Sequence, residues 1–115
     1  YAFTYPNRMS IPDNDLDLTD IASLTFENPD VDTFYALKLA RRAGEEGGTL
    51  ATVFNAADEA AVELFLNGKL SYLEITEAIE EAMECHKNIK NPTLSQIYDA
   101  DKEARELVYK RRSKA

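Results

Sequence analysis

Hydrophobic positions divide the chain near residue 30. Beyond it, Leu50, Val53, Phe54, Ala57, Ala61, Leu64 and Phe65 recur at i, i+3, i+4 spacing, the clearest helical stripe in the sequence. A second stripe runs through Tyr72, Ile75, Ala78, Ile79, Ala82, Met83 and His86, and a third through Leu94, Ile97, Tyr98, Ala104, Leu107 and Val108. Ahead of these, Phe34, Tyr35, Leu37 and Leu39 give a helix beginning at Val31 a broad apolar face.

Punctuation between the stripes agrees with them. Asn28-Pro29-Asp30 opens the first helix, with Asp30 or Asp32 able to accept from amides of its first turn. Gly47-Gly48 ends it, because glycine takes a left-handed cap conformation at little cost. Thr49 is placed to cap the second helix, which ends at Asn67-Gly68. Ser71 with Glu74, and Thr93 with Gln96, have the spacing of capping boxes. Lys110, Arg111, Arg112 and Lys114 complement the dipole at the end of the last helix.

Residues 1–30 read differently. Pro6, Pro12 and Pro29 interrupt any helix, and Asp13-Asn14-Asp15 is turn chemistry. Leu16, Leu18 and Ile21 alternate with Asp17 and Asp20 over too short a run for a strand. The expected architecture is all-α: an extended, mostly irregular connector over 1–30 that crosses the domain surface, then an antiparallel four-helix bundle over 31–115.

Composition narrows the function. With 115 residues and 44% hydrophobic content, the chain can close one core. A formal net charge of -8 opposes binding to nucleic acid or to an anionic membrane face. No apolar run is long enough for a transmembrane helix. Cys85 is the single cysteine, which excludes an internal disulfide and suits a reducing cytosol. The opening Tyr1-Ala-Phe-Thr-Tyr-Pro6 lacks Met and the features of a signal peptide. It suits a segment of a longer polypeptide, with Tyr1, Phe3 and Tyr5 left as part of an exposed apolar patch.

Candidate chemistry is sparse. Glu77, Glu80, Glu81 and Glu84 would need inward Glu-x-x-His pairs to make a di-iron site, and Met83 stands three before the only histidine, His86; the acidic run reads as a solvated helix face. Cys85 and His86 are neighbours, about 100° apart on a helix, and read as a partly buried thiol and a helix-end imidazole. Asn55 and Glu59 share a helix face opposite the apolar stripe, with Asp58 at its margin; a structural tie is favoured over a ligand site. Gly44, Gly47 and Gly48 follow no strand and form no phosphate loop.

Several segments, in order, resemble one family. They are Tyr5-Pro6-Asn7-Arg8, Leu16-Asp17-Leu18, Ser23 through Asp30 (SLTFENPD), Leu37-Lys38-Leu39-Ala40 and Gly47-Gly48-Thr49. Phe54-Asn55-Ala56-Ala57-Asp58-Glu59-Ala60-Ala61-Val62 is the most specific, followed by Phe65 through Lys69, Asp99-Ala100-Asp101 and Ala104-Arg105. The pattern is similar to the C-terminal helical domain of 1-deoxy-D-xylulose 5-phosphate reductoisomerase, with Asp58 where that family usually has Asn.

The resemblance implies an NADPH- and divalent-metal-dependent enzyme (Mg, Mn or Co) of the non-mevalonate isoprenoid route. That enzyme converts 1-deoxy-D-xylulose 5-phosphate to 2-C-methyl-D-erythritol 4-phosphate. It also implies that the NADPH-binding and catalytic domains belong to the same polypeptide and precede Tyr1. No catalytic, cofactor-binding or metal-binding residue is then carried by this chain. Asn55, Ala56, Ala57, Asp58 and Glu59 serve as a structural signature. A homodimeric full-length enzyme, a monomeric fragment and a bacterial cytoplasm follow from the same resemblance, with a plastid as the open alternative. A stand-alone acidic helical interaction module is the competing reading.

Overall fold

The computed structural model describes residues 1–10 and 16–111, in which all regular structure is helical. The elements are α1 (Leu18–Ile21), α2 (Ala36–Glu46), α3 (Leu50–Leu66), α4 (Tyr72–Cys85) and α5 (Leu94–Lys110). The turn read at Asp13-Asn14-Asp15, Pro12, and the basic Arg112 and Lys114 lie outside the described residues.

Helices α2 to α5 alternate in direction. Glu59 and Glu63 on α3 meet Arg105 and Tyr109 on α5, so these two run the same way. Arg111, just past α5, reaches Glu77 and Glu81 in the middle of α4. The bundle is nevertheless not a closed square. Both α3 and α4 contact all three other bundle helices, whereas α2 and α5 do not touch each other among the described residues. The section is a rhombus with α3 and α4 on its short diagonal.

That position explains the composition of α3. A helix flanked on three sides must bring its backbone close to each neighbour, and alanine permits the approach. Ala56, Ala57, Ala60 and Ala61 are each fully buried, with Leu50, Val53 and Leu64. The exposed face of α3 is a narrow line through Ala51, Asn55 and Glu59 that widens over its last turn to Val62, Glu63, Phe65 and Leu66. Ala78, Ile79, Ala82 and Met83 of α4 and Ala100, Ala104 and Val108 of α5 complete the core.

Both capping boxes form. Glu74 Oε2 accepts from the Ser71 amide at 2.7 Å, and Gln96 Oε1 from the Thr93 amide at 2.9 Å. Gly47 ends α2 at φ 61°, its amide donating to the Ala43 carbonyl.

Three local expectations change. Asp30 Oδ1 accepts from the amides of Asp32 and Thr33, but residues 31–35 are turns, and α2 starts at Ala36 rather than near Val31. The broad apolar face narrows to Leu39 and Ala43; Phe34 and Leu37 stay exposed because α2 packs only against α3 and α4. The Leu16–Ile21 stretch contains the short helix α1, capped by Asp17 Oδ1 on the Thr19 amide at 2.8 Å.

Residues 1–10 and 16–30 bury no hydrophobic side chain, and α1 makes no contact with the bundle helices. The described part of the segment thus contributes nothing to the hydrophobic core. Tyr1, Phe3 and Tyr5 are exposed, with Tyr1 edge-on to Tyr5 and Arg8 stacked on Tyr1.

Candidate functional site

The five signature residues occupy one and a half turns of the hub helix and divide by direction. Ala56 and Ala57 face inward and are fully buried. Asn55 and Glu59 face outward, one turn apart, and Asn55 Nδ2 donates to Glu59 Oε1 at 3.0 Å. The second carboxylate oxygen, Oε2, accepts from Arg105 of α5 at 2.5 Å. Arg105 is itself held by Asp101 one turn earlier, Nε to Oδ2 at 2.9 Å. One turn further along α3, Glu63 accepts from the Tyr109 hydroxyl at 2.6 Å. The polar pair thus heads a side-chain seam joining α3 to the helix α5, not a tie from α3 to a loop. The signal was present: Asp101 and Arg105 have the i, i+4 spacing of a helical ion pair.

The seam shapes its own electrostatics. Hydrogen bonds from Arg105 and Asn55 hold the Glu59 carboxyl below its usual pKa. Asp58, half-buried between these directions, moves the other way: burial, and then the neighbouring Glu59 charge, raise its pKa. Glu63 raises the Tyr109 phenol by accepting its proton in a hydrogen bond.

A second polar cluster joins the opposite end of the bundle. Thr49 is fully buried, and its hydroxyl lies 2.7 Å from His86 Nε2. It does not cap α3, because its backbone is already helical at φ -78°, ψ -7°. Instead Thr49 Oγ1 accepts from the Ile89 amide at 3.0 Å, while the Thr49 amide donates to the Ile89 carbonyl at 3.1 Å. Asn88 Nδ2 donates to the Gly47 carbonyl at 3.0 Å. Nothing in the sequence marked Asn88 or Ile89 as partners, since the contact spans some 40 positions.

His86 leaves α4 in extended backbone, so it and the exposed Cys85 line one recess rather than diverging by a helical step. The recess, about 70 Å³ between α3, α4 and α5, has Val53, Ala82, Ala104 and Leu107 for walls and Glu103 at its edge. It admits a few waters and falls well short of the ~300 Å³ of an ordinary small-molecule site.

The acidic face of α4 is exposed but paired. Arg111 donates to Glu77 at 2.6 Å and to Glu81 at 2.8 Å, Arg42 binds Glu84, and the Tyr35 hydroxyl donates to Glu80 at 3.0 Å. Among the described residues no three His, Cys, Asp or Glu side chains are grouped to hold a metal ion. The α4 carboxylates Glu77, Glu80, Glu81 and Glu84 are thus engaged by arginine and tyrosine. No helix among these residues is long and apolar enough to cross a membrane.

Residues 1–107 match the family described as the DXP reductoisomerase C-terminal domain. The chain belongs to that family. It is 51% identical over 112 residues to the 1-deoxy-D-xylulose 5-phosphate reductoisomerase of Caldanaerobacter subterraneus subsp. tengcongensis, and 49% identical over 111 residues to that of Clostridium perfringens. Each alignment covers 96% of this chain and 29% of the relative. The fold superposes with a TM-score of 0.84 and 33% identity on the reductoisomerase of Zymomonas mobilis solved in complex with NADPH, covering 95% of this chain and 29% of that one. The chain therefore spans under a third of the length of the reductoisomerases it matches.

Proposed function

We propose that this chain is the bracing C-terminal domain of a 1-deoxy-D-xylulose 5-phosphate reductoisomerase and supplies no catalytic, NADPH-binding or metal-binding side chain. The observation that carries the reading is the family match over residues 1–107, together with its 29% share of the relatives' length. The whole enzyme would convert 1-deoxy-D-xylulose 5-phosphate to 2-C-methyl-D-erythritol 4-phosphate with NADPH and a Mg, Mn or Co ion, in the non-mevalonate isoprenoid route. Both groups would be held by the catalytic and nucleotide domains of the same polypeptide. The chemistry of the described surface supports this division, because its charged side chains answer one another across helix seams.

In this reading residues 1–30 form the connector and 31–115 the bundle. Of the signature Asn55, Ala56, Ala57, Asp58 and Glu59, two residues build the bundle by close packing (Ala56, Ala57) and two by the seam to Arg105 (Asn55, Glu59), with Asp58 half-buried between them. The setting is a bacterial cytoplasm, and the full-length enzyme is a homodimer whose dimer contacts lie outside this domain.

The test is NADPH oxidation followed at 340 nm with deoxyxylulose phosphate and Mg²⁺. The longer polypeptide that carries this domain turns over, and the 115-residue chain alone does not. Turnover by the isolated chain would overturn the assignment of a bracing role.

A further inference from the structure

Exposed hydrophobic side chains of the bundle, such as Val62, Leu66 and Tyr98, stand on helices whose interior amides and carbonyls are bonded along the helix. Residues 23–28 leave side chains and backbone open together. From Ala22 to Asp30 the chain forms no helix, turn or bend. Among the described residues, the amides and carbonyls of Leu24, Thr25, Phe26, Glu27 and Asn28 have no backbone partner. Ser23-Leu24-Thr25-Phe26-Glu27 alternates polar and apolar, which in a straight chain puts Leu24 and Phe26 on one face. Those two side chains are 67% and 89% exposed. Such alternation, with threonine and an aromatic, is the pattern of a strand packed on one face. No strand exists among the described residues to pair with it.

We infer that residues 23–28 add as an edge strand to a β-sheet in the part of the reductoisomerase polypeptide that precedes this domain. The inference rests on the functional reading above and goes beyond it by naming the segment and its mode of docking. Three observations choose the occupant. First, a straight run of open amides and carbonyls is answered by a sheet edge, whose main-chain groups have the same spacing, while the sheet's face takes Leu24 and Phe26. Second, the match is to a C-terminal domain that makes up 29% of the relatives, so most of their length lies ahead of it. The Zymomonas mobilis relative holds NADPH, and dinucleotide sites are commonly built at the ends of sheet strands, so a sheet is at hand there. Third, residues 1–22 tether the segment to that polypeptide, and a short tether supplies an effective concentration in the millimolar range. A second copy of the segment offers the same backbone groups without that advantage.

The test is hydrogen exchange resolved to single amides at positions 24–28, in the longer polypeptide and in the 115-residue chain. Amides of one parity on an edge strand face the sheet, and those of the other face solvent. In the longer polypeptide, either Leu24, Phe26 and Asn28 or Thr25 and Glu27 are expected to exchange at least ~100-fold more slowly than the alternate set, because a bonded amide must open first. In the 115-residue chain all five are expected to exchange as in an unstructured peptide. Free exchange at all five in the longer polypeptide overturns the inference, and so does equal protection of both parities. Protection in the 115-residue chain also overturns it: if it grows with protein concentration the partner is a second copy, and if it does not the partner lies within the chain. NADPH oxidation by the longer polypeptide is measured in parallel. Turnover with free exchange sinks the edge strand alone, and absence of turnover sinks the functional reading.

Discussion

The hydroxyl of Thr49 lies 2.7 Å from Nε2 of His86, which fastens the start of α3 to the end of α4 across 37 positions of sequence. The same oxygen receives the Ile89 amide, so one buried atom sets the path of the α4–α5 loop. Thr49→Val keeps the shape and deletes the oxygen, leaving a buried amide without its acceptor. The expected loss is about 1–3 kcal/mol, read as a lower urea midpoint with an unchanged m-value. A midpoint equal to the parent's would show that the hydroxyl is dispensable.

Gly48 is confined twice over. Its φ is +66°, and a Cβ added there would sit 2.5 Å from both the Ile89 carbonyl oxygen and Asn88 Oδ1. Gly48→Ala is expected to cost at least ~2 kcal/mol, from left-handed strain plus displacement of the loop backbone. Gly44, inside α2, meets open space. Gly44→Ala should therefore stabilise by about 0.5–1 kcal/mol. Thermal unfolding of the two variants must move in opposite directions; a shared direction would contradict the geometry.

Glu59 and Arg105 predict an acid-sensitive seam. The folded Glu59 carboxyl is held below its ordinary value of 4.5, so the folded state binds fewer protons than the unfolded one in that range. Its stabilising share is whole above pH 4.5 and is lost as pH falls through the lowered folded value. Glu59→Gln removes that share, so the variant unfolds more easily than the parent at neutral pH. The gap closes in strong acid. Urea midpoints collected from pH 7 down to pH 2.5 read it directly, and a gap constant with pH counts against the ion pair.

Asp58 has the opposite sign. Burial and the Glu59 charge raise its pKa, so the folded state holds its proton longer than the unfolded chain. Folding carries no penalty below the ordinary value of 3.8; the penalty develops as pH rises through the raised folded value and persists at neutrality. Asp58→Asn is neutral at every pH and matches the residue usual in the resembled pattern. We expect a higher urea midpoint at pH 7 and no difference near pH 3. A destabilised variant at pH 7 would mean that the carboxylate has a favourable role that burial conceals.

Much of the bundle could be read locally because its signals are local. Helices α3, α4 and α5, the Gly47 stop and the two capping boxes each depend on residues within a turn or two, and each formed, although Leu94 and Tyr98 of the α5 stripe stay exposed. The first helix was misjudged for a related reason. Phe34 and Leu37 have helical spacing, but spacing cannot reveal that α2 has neighbours on two sides only. Phe65 and Tyr72 fit their stripes equally well and yet lie at the open end of the bundle.

The order of apolar and capping residues determined by itself that this chain makes helices, roughly where they begin and end, and which family it joins. Tertiary structure alone decided which helix becomes the hub, since that depends on how many neighbours a face meets. It also decided that Thr49 would bind a distant loop rather than cap its own helix. A periodic pattern encodes direction from a helix axis; it carries no record of what stands opposite, and hydrogen bonds between residues some 40 positions apart exist only once the helices have packed.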